Sequence, residues 1–449
     1  MARTLIHNAL IVNEGRSFEG YVVIDGEFIA EVGEGSVPPG LSDTCDKAED
    51  AGGAMLLPGA IDEHVHFRDP GLTYKADIAT ESLAAVAGGV TSFIDMPNTK
   101  PLTVTLDALD AKYRRAAECS VANYAFFIGA TNNNVDTLLE CDYTRVPGVK
   151  LFLGSSTGNM LVNDEAALRR LFAEVKAVIA VHAESEAVIR ANRERIVAER
   201  GEELPVGVHS EIRDARACYE STEMAVALAR EYDARLHVLH VSTADELRFF
   251  TPGPVAPKRI TAETCPHYLL FSTDDYATLG GRIKCNPAIK TTADRDALRR
   301  AVADGRIDVV ATDHAPHLLA EKEGTALTAT SGMPMVQFSL PVMLTLASEG
   351  MLTRETVVER MCHAPATLFG IDRRGFIRPG YYADLTIVAP CAPYTVADAD
   401  VVSRCGWTPL AGLTLRHSVR STYVNGTRAW HDGRPDSTPN ARPLRFKGV

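Results

Sequence analysis

The chain has 449 residues, 46% of them hydrophobic and 23% charged, which supplies a sizeable core and is not the composition of a disordered protein. A formal net charge of −12 argues against nucleic acid or an anionic membrane as a partner. No apolar run reaches the ~18 residues of a membrane helix, and the start, "MARTLIHNALIVNEG", lacks a basic stretch leading into a long apolar one. The nine cysteines, an odd number with no CxxC, read as buried free thiols of a reducing compartment. A cytoplasmic protein with no membrane association is expected.

Residues 1–55 read as short strands and turns. "TLIHNALIV" and "GYVVIDGEFIAEVG" are rich in β-branched and aromatic residues and punctuated by glycine. From 56 to 372 the texture alternates. Apolar runs at "MLLPGAIDEHVHF", "GGVTSFIDMPN", "ANYAFFIGAT", "GVKLFLG", "AVIAVHAE", "ARLHVLHVS", "KRITAETCPHYLL" and "IDVVATDHAPH" are mostly separated by helix-like segments such as "TVTLDALDAKYRRAAE" and "DEAALRRLFAEVKA". Eight such units predict an α/β fold of the (β/α)8 TIM-barrel type. A doubly wound open sheet is the alternative, but no glycine-rich phosphate loop follows the first strand. Residues 373–449 return to the strand texture, with Asn425-Gly426 as a hairpin turn. The two ends together predict one small β-sandwich domain.

The chemistry-bearing residues follow the apolar runs. The first ends in His64 and His66, the fourth carries Lys150, the fifth ends in His182, the sixth in His240 and the eighth in Asp313. Barrel strand ends converge on one face, where barrel active sites are built. Residues two apart on a strand share a side, so His64 and His66 can serve one ion. Imidazole suits zinc and similar metals, and the Asp313 carboxylate adds a harder ligand. Lys150 fits this company poorly, because an ammonium repels metal cations. Two readings stay open for it: an ion pair with a neighbouring acid or a solvated end, or an amine that has reacted with carbon dioxide to give an anionic, metal-bridging carbamate.

"PGAIDEHVHFRDPG", "DMPNT", "VKLFLGSSTG", "VHAE", "VLHVS" and "TDHAPH" resemble the amidohydrolase superfamily, in particular its dihydroorotases, and "GFIRPGYYADLTIV" resembles that superfamily's return into its small β domain. The resemblance implies two divalent metal ions, zinc by family habit, a carbamate on Lys150 bridging them, and a homodimer. It implies opening of a cyclic amide: a small-molecule substrate, dihydroorotate, hydrolysed reversibly to carbamoyl aspartate in pyrimidine synthesis. Asp313 would be both metal ligand and proton shuttle.

Hydantoinases, dihydropyrimidinases and allantoinases share the metal chemistry, so specificity must come from elsewhere in the pocket. Dihydroorotate carries a ring carboxylate, and a guanidinium matches it bidentately. Arg68 shares the strand parity of His64 and His66 and is the expected anchor; the alternative is a surface ion pair with Asp69 or another acid. By resemblance Asn98 and His317 are further carboxylate partners and Asn286 lies near substrate, although Asn-Pro is also turn chemistry. The stretch 154–160, "GSSTGNM", is expected as a lid or as a plain strand-to-helix loop. The remaining histidines, His209, His237 and His267 among them, receive no metal role. A non-catalytic scaffold on the same fold would be expected to lack ligands, and here the set is complete.

Overall fold

The computed structural model describes residues 3–154 and 160–448; residues 155–159, most of the expected lid, lie outside the described residues. The eight apolar runs form eight strand positions: Ala60–Val65, Val90–Asp95, Asn123–Phe126, Gly148–Phe152, Val178–His182, Leu236–Val238, Ile260–Thr264 and Val309–Val310. Neighbours pair in parallel, the third reaching the fourth through a short continuation, Ile128–Gly129. A parallel bridge between Val65 and His314 joins last to first, and the His66 amide donates to the His314 carbonyl at 2.7 Å. This closed ring is the expected barrel.

The local reasons are visible in the sequence. Strands covered on both sides must be apolar almost throughout, and every residue of Val178–His182 is buried. The helix Leu106–Cys119 is capped by Thr105, whose hydroxyl accepts from the Ala108 amide, and it buries Leu109, Tyr113 and Ala116 on one stripe. The helix Glu165–Glu174 repeats the scheme with an Asp164 cap and a buried stripe of Ala167, Leu168, Leu171 and Phe172.

Both chain ends feed one nine-stranded sheet, from Arg3–Asn13 through Met55–Pro58 at one end and from Leu385–Thr395 to Arg434–Pro435 at the other. Met55–Pro58 is the seam, parallel to Leu10–Ile11 and antiparallel to Leu385–Val388. This strand, at the expected boundary of 55, takes both its pairings within the terminal sheet. The Asn425-Gly426 turn forms as expected, with φ of +47° and +75°. A Cβ on Gly426 would sit 2.0 Å from the Gly26 carbonyl oxygen, so glycine is needed there for space as well as conformation.

The C-terminal part departs from the expected partition in one respect. Between Thr395 and Thr414 the chain leaves the sheet and lies against the barrel. Asp398 pairs with Arg282 at 2.6 Å, Arg404 with Asp77 at 2.8 Å, and the fully buried Trp407 donates its indole N–H to the His317 carbonyl at 2.7 Å. Among the described residues no helix is long and apolar enough to cross a membrane. All nine cysteines are free thiols.

Candidate active site and metal centre

The six expected metal ligands line one cavity at the C-terminal mouth of the barrel, with Arg68, Asn98 and Asn286 in the same lining. A larger groove of about 810 Å³ lies on the terminal sheet beside Glu27, Lys47 and Arg428, but it gathers none of these ligand residues. The smaller cavity is where the chemistry converges. Its walls are strained: Arg68, His240 and Asp313 have φ of +66°, +42° and +46°, a region that costs non-glycine residues roughly 1–3 kcal/mol each. The barrel and its loops hold these three side chains in place against that preference.

One half of the centre is built from His64, His66 and Asp313. The Nε2 atoms of His64 and His66 lie 3.3 and 3.1 Å from Asp313 Oδ1. Both rings are held from behind: His64 Nδ1 is 3.0 Å from Glu263, and His66 Nδ1 is 2.7 Å from Asn98 Oδ1. Each Nδ1 thus carries the proton and each Nε2 lone pair faces the centre, the arrangement metal-ligating histidines adopt. The other half uses the opposite ring edge of one histidine. His182 Nδ1 and His240 Nε2 converge at 2.8 Å, while His182 Nε2 faces Glu184 at 3.1 Å. Among the described residues His240 Nδ1 has no hydrogen-bond partner.

Burial pushes His66 down to about 4 and lowers His182 and His240, so these rings are neutral near pH 7, the form that binds metal. His64 moves the other way, because the charges of Glu263 and Asp313 override its burial. Asp313 stays ionised far below the usual carboxylate range; burial opposes this, and His64, His66 and His240 outweigh it. Convergent imidazoles, those of His64 and His66 with tautomers fixed from behind, and an ionised carboxylate suit divalent cations. The donor set fits a metal centre.

Lys150 sits among these groups, 1% exposed, with its amine 4.6 Å from the centre of the Phe152 ring. Among the described residues it makes no ion pair, which disfavours the first of the two readings left open for it. Burial pushes its amine down to about 8, against the pull of Asp313, Glu263 and Glu63. A substantial fraction of free amine near neutral pH is what reaction with carbon dioxide requires.

Two supporting acids carry no motif that flags them. Glu263 bonds the His64 ring and also accepts the His240 backbone N–H at 2.8 Å, so one carboxylate fixes two strand ends. It lies beside Glu63 and His237 in a second buried group of potential ligand atoms within 4.8 Å of one another. His237 does not line the cavity and bonds Thr261 and Glu63, each at 2.8 Å. Glu63, raised by burial and by the charge of Glu263, keeps its proton, while Glu263 stays ionised. Glu184 bonds Arg213 and faces His182; burial would raise it, but Arg213 and His182 bring it down to about 2.

Arg68 is 4% exposed and does not pair with Asp69, which is held instead by Arg115 at 3.0 Å. Its Nε donates to the Pro316 carbonyl at 3.0 Å, and its Nη2 lies 3.1 Å from His317 Nε2. The His317 ring accepts from Lys75 on Nδ1 at 2.9 Å, so its proton sits on Nε2 and is donated to the Ser331 carbonyl at 3.0 Å. Arg68 therefore faces an N–H, and neither terminal nitrogen has a protein acceptor among the described residues. Burial, with Arg68, Lys75 and Lys322 beside it, keeps His317 neutral.

His317 stands behind Arg68 and not in the cavity lining. Its nitrogens meet Lys75, Arg68 and Ser331. Asn98 reaches the cavity but spends its oxygen on His66, leaving only its NH2 group to face inward. Asn286 lines the cavity, and its Oδ1 is 2.9 Å from His209 Nε2, which orients the side chain. No spacing rule would have linked His209 to Asn286, 77 residues away. Gly332 closes the wall beside Arg68; a Cβ there would lie 2.8 Å from the Ala315 carbonyl oxygen.

A barrel with histidines, a lysine and an aspartate at its strand ends defines a metal-dependent hydrolase of the amidohydrolase type. The amidohydrolase family model matches residues 55–429, and the chain belongs to that family, within its cyclic-amidase group. A dihydroorotase of Halobacterium salinarum is 38% identical over 394 residues, covering 87% of this chain and 89% of its own. An allantoinase of Streptomyces avermitilis is 35% identical over 432 residues, 94% of each chain. Among solved structures, an L-hydantoinase (dihydropyrimidinase) from Arthrobacter aurescens superposes with a TM-score of 0.91 at 27% identity, covering 99% of this chain and all of the other.

Proposed function

We propose that this enzyme is a dihydroorotase, interconverting dihydroorotate and N-carbamoyl aspartate in pyrimidine synthesis. The observation that carries the reading is Arg68, a buried guanidinium in the wall of the metal cavity whose terminal nitrogens meet no protein acceptor among the described residues. A buried cation left this way is costly unless an anion arrives to meet it. Allantoin, hydantoin and dihydrouracil bring no carboxylate; dihydroorotate does. Lys75 and Lys322 lie behind Arg68 and add to the positive field there, with Glu321 as the nearby counter-charge.

His64, His66, His182, His240, Asp313 and a carbamate formed from Lys150 and carbon dioxide would hold two divalent ions, zinc by the ligand types. Bound there, the metals lower the pKa of water and polarise the amide carbonyl. The protein's own part is positional. Arg68 grips the ring carboxylate, and Asn286 and the NH2 of Asn98 border the ring. Asp313 takes a proton from the attacking water and delivers it to the departing ring nitrogen. Glu263 and Glu184 keep the imidazoles in the required tautomers.

The test is turnover of dihydroorotate, dihydrouracil, hydantoin and allantoin side by side on protein assayed for metal. Preference for dihydroorotate is expected. Preference for a neutral ring would keep the metal centre and discard the argument from Arg68, and the near-equal identity to an allantoinase makes allantoin the comparison that counts most.

A further inference from the structure

Lys322 closes the short turn Leu319–Lys322, is 3% exposed and does not line the metal cavity. Its ammonium donates to three backbone carbonyls: Lys284 at 2.8 Å, Thr330 at 2.7 Å and Gly332 at 2.6 Å. The acceptors lie on two segments that form one wall of the cavity. Lys284 stands two residues before Asn286, and Thr330 and Gly332 flank Ser331. The segments are otherwise tied by the Gly332 amide donating to the Lys284 carbonyl at 2.9 Å and by the Lys284 ammonium on the Ala329 carbonyl. The Trp407 ring lies 5.9 Å from the Lys322 nitrogen.

We propose that Lys322 is a positioning residue for substrate binding: its three-pronged ammonium sets the spacing of the wall that presents Asn286, Ser331 and Gly332 to the ring. The inference rests on the cavity being the substrate site and not on which cyclic amide enters it. An ammonium has three donors and no lone pair, so three carbonyls saturate it. Removing one proton turns one donor into a lone pair aimed at a carbonyl oxygen, and the wall loses a tie. An apolar side chain leaves all three buried carbonyls without it. Because the wall touches the ring equally before and during bond breaking, its loss acts on KM and spares kcat.

A pH signature follows. Burial, with Lys284 and Arg68, brings Lys322 down to about 7 against the pull of Cys285 and Glu321. The Trp407 ring and the neutral His317 also face it. The tripod is complete below that pH and loses a tie above it, so KM rises with pH across neutrality.

The experiment measures KM, kcat and bound metal for wild type, Lys322→Met and Lys322→Arg, with whichever ring wild type turns over best. Wild-type ring preference tests the dihydroorotase reading before any variant is made, so the two claims fail separately. In Lys322→Met, KM is expected to rise about tenfold or more with kcat and metal content within about twofold, and Lys322→Arg is expected to recover part of the loss. A merely structural lysine would lower thermal stability and leave the KM of the folded fraction alone. A Lys322→Met KM within about twofold of wild type overturns the proposal. If that variant does not fold, a wild-type KM that stays flat from about pH 6 to 9 overturns it instead.

Discussion

Replacing Arg68 with Gln removes the charge and keeps a planar polar group of smaller reach. In the proposed complex the substrate carboxylate is stripped of water beside a guanidinium that is itself 4% exposed. Deleting one partner of a buried charge pair costs about 3–5 kcal/mol. Lys75 and Lys322 remain nearby and soften the loss, so the lower end applies. About 3 kcal/mol corresponds to a fall of roughly 100- to 200-fold in kcat/KM for dihydroorotate. The assay is steady-state turnover of dihydroorotate and dihydrouracil by the same metal-assayed preparations. Dihydrouracil has nothing for Arg68 to hold, so its kcat/KM should change by less than about threefold. A dihydroorotate loss under about tenfold, or an equal loss on both rings, would refute the reasoning.

Three further outcomes are expected. Asp313→Asn should keep the fold and much of the metal while turnover drops by about 10²–10⁴; wild-type rates in that variant would remove Asp313 as the proton carrier. Lys150→Ala should lose metal, measured by atomic absorption, and regain part of its activity with added short carboxylic acids; a fully active, metal-loaded Lys150→Ala would sink the carbamate. Glu184, ordinarily near 4.5 and brought to about 2 by Arg213 and His182 against its burial, contributes stability that is present above pH 4.5 and is lost as pH falls through about 2. The shift corresponds to about 3 kcal/mol. Urea midpoints measured down the acid range should therefore fall less steeply in Glu184→Gln than in wild type, and parallel curves would contradict the assignment.

The site was legible where a residue's position along a strand determines its neighbours. His64, His66, His182, His240 and Asp313 follow apolar runs directly, and barrel closure brings such ends together whatever the loops between them do. Arg68 was expected from strand parity, but the strand ends at Val65 and Arg68 has a φ of +66°, so the loop and not the pleat turns it into the cavity, away from Asp69. The supporting acids were not legible. Glu263 and His64 are 199 residues apart, and an acid inside an apolar run carries no sign of which ring it will meet. The partners of His317 were hidden for a related reason: its neighbours in "DHAPH" say that it is near the mouth, not that Lys75 and Ser331 lie against its nitrogens. The partition at 373 failed to foresee Trp407, because an irregular segment between strands has no periodicity to reveal the surface it covers.

The return of that segment to the barrel bears on how the molecule is made. A ribosome delivers the ligands in order from His64 to Asp313, and a barrel assembled at that point would already hold the metal-binding side chains. The prop under the His317 carbonyl arrives only with Trp407, nearly a hundred residues later, and the sheet that Met55–Pro58 seeds waits for Leu385–Val388. Synthesis must therefore run almost to the end before the mouth is set. A truncation placed to trim the C-terminal strands of the small sheet from Leu385 on would also remove Trp407 and the Asp398 and Arg404 ion pairs from the barrel.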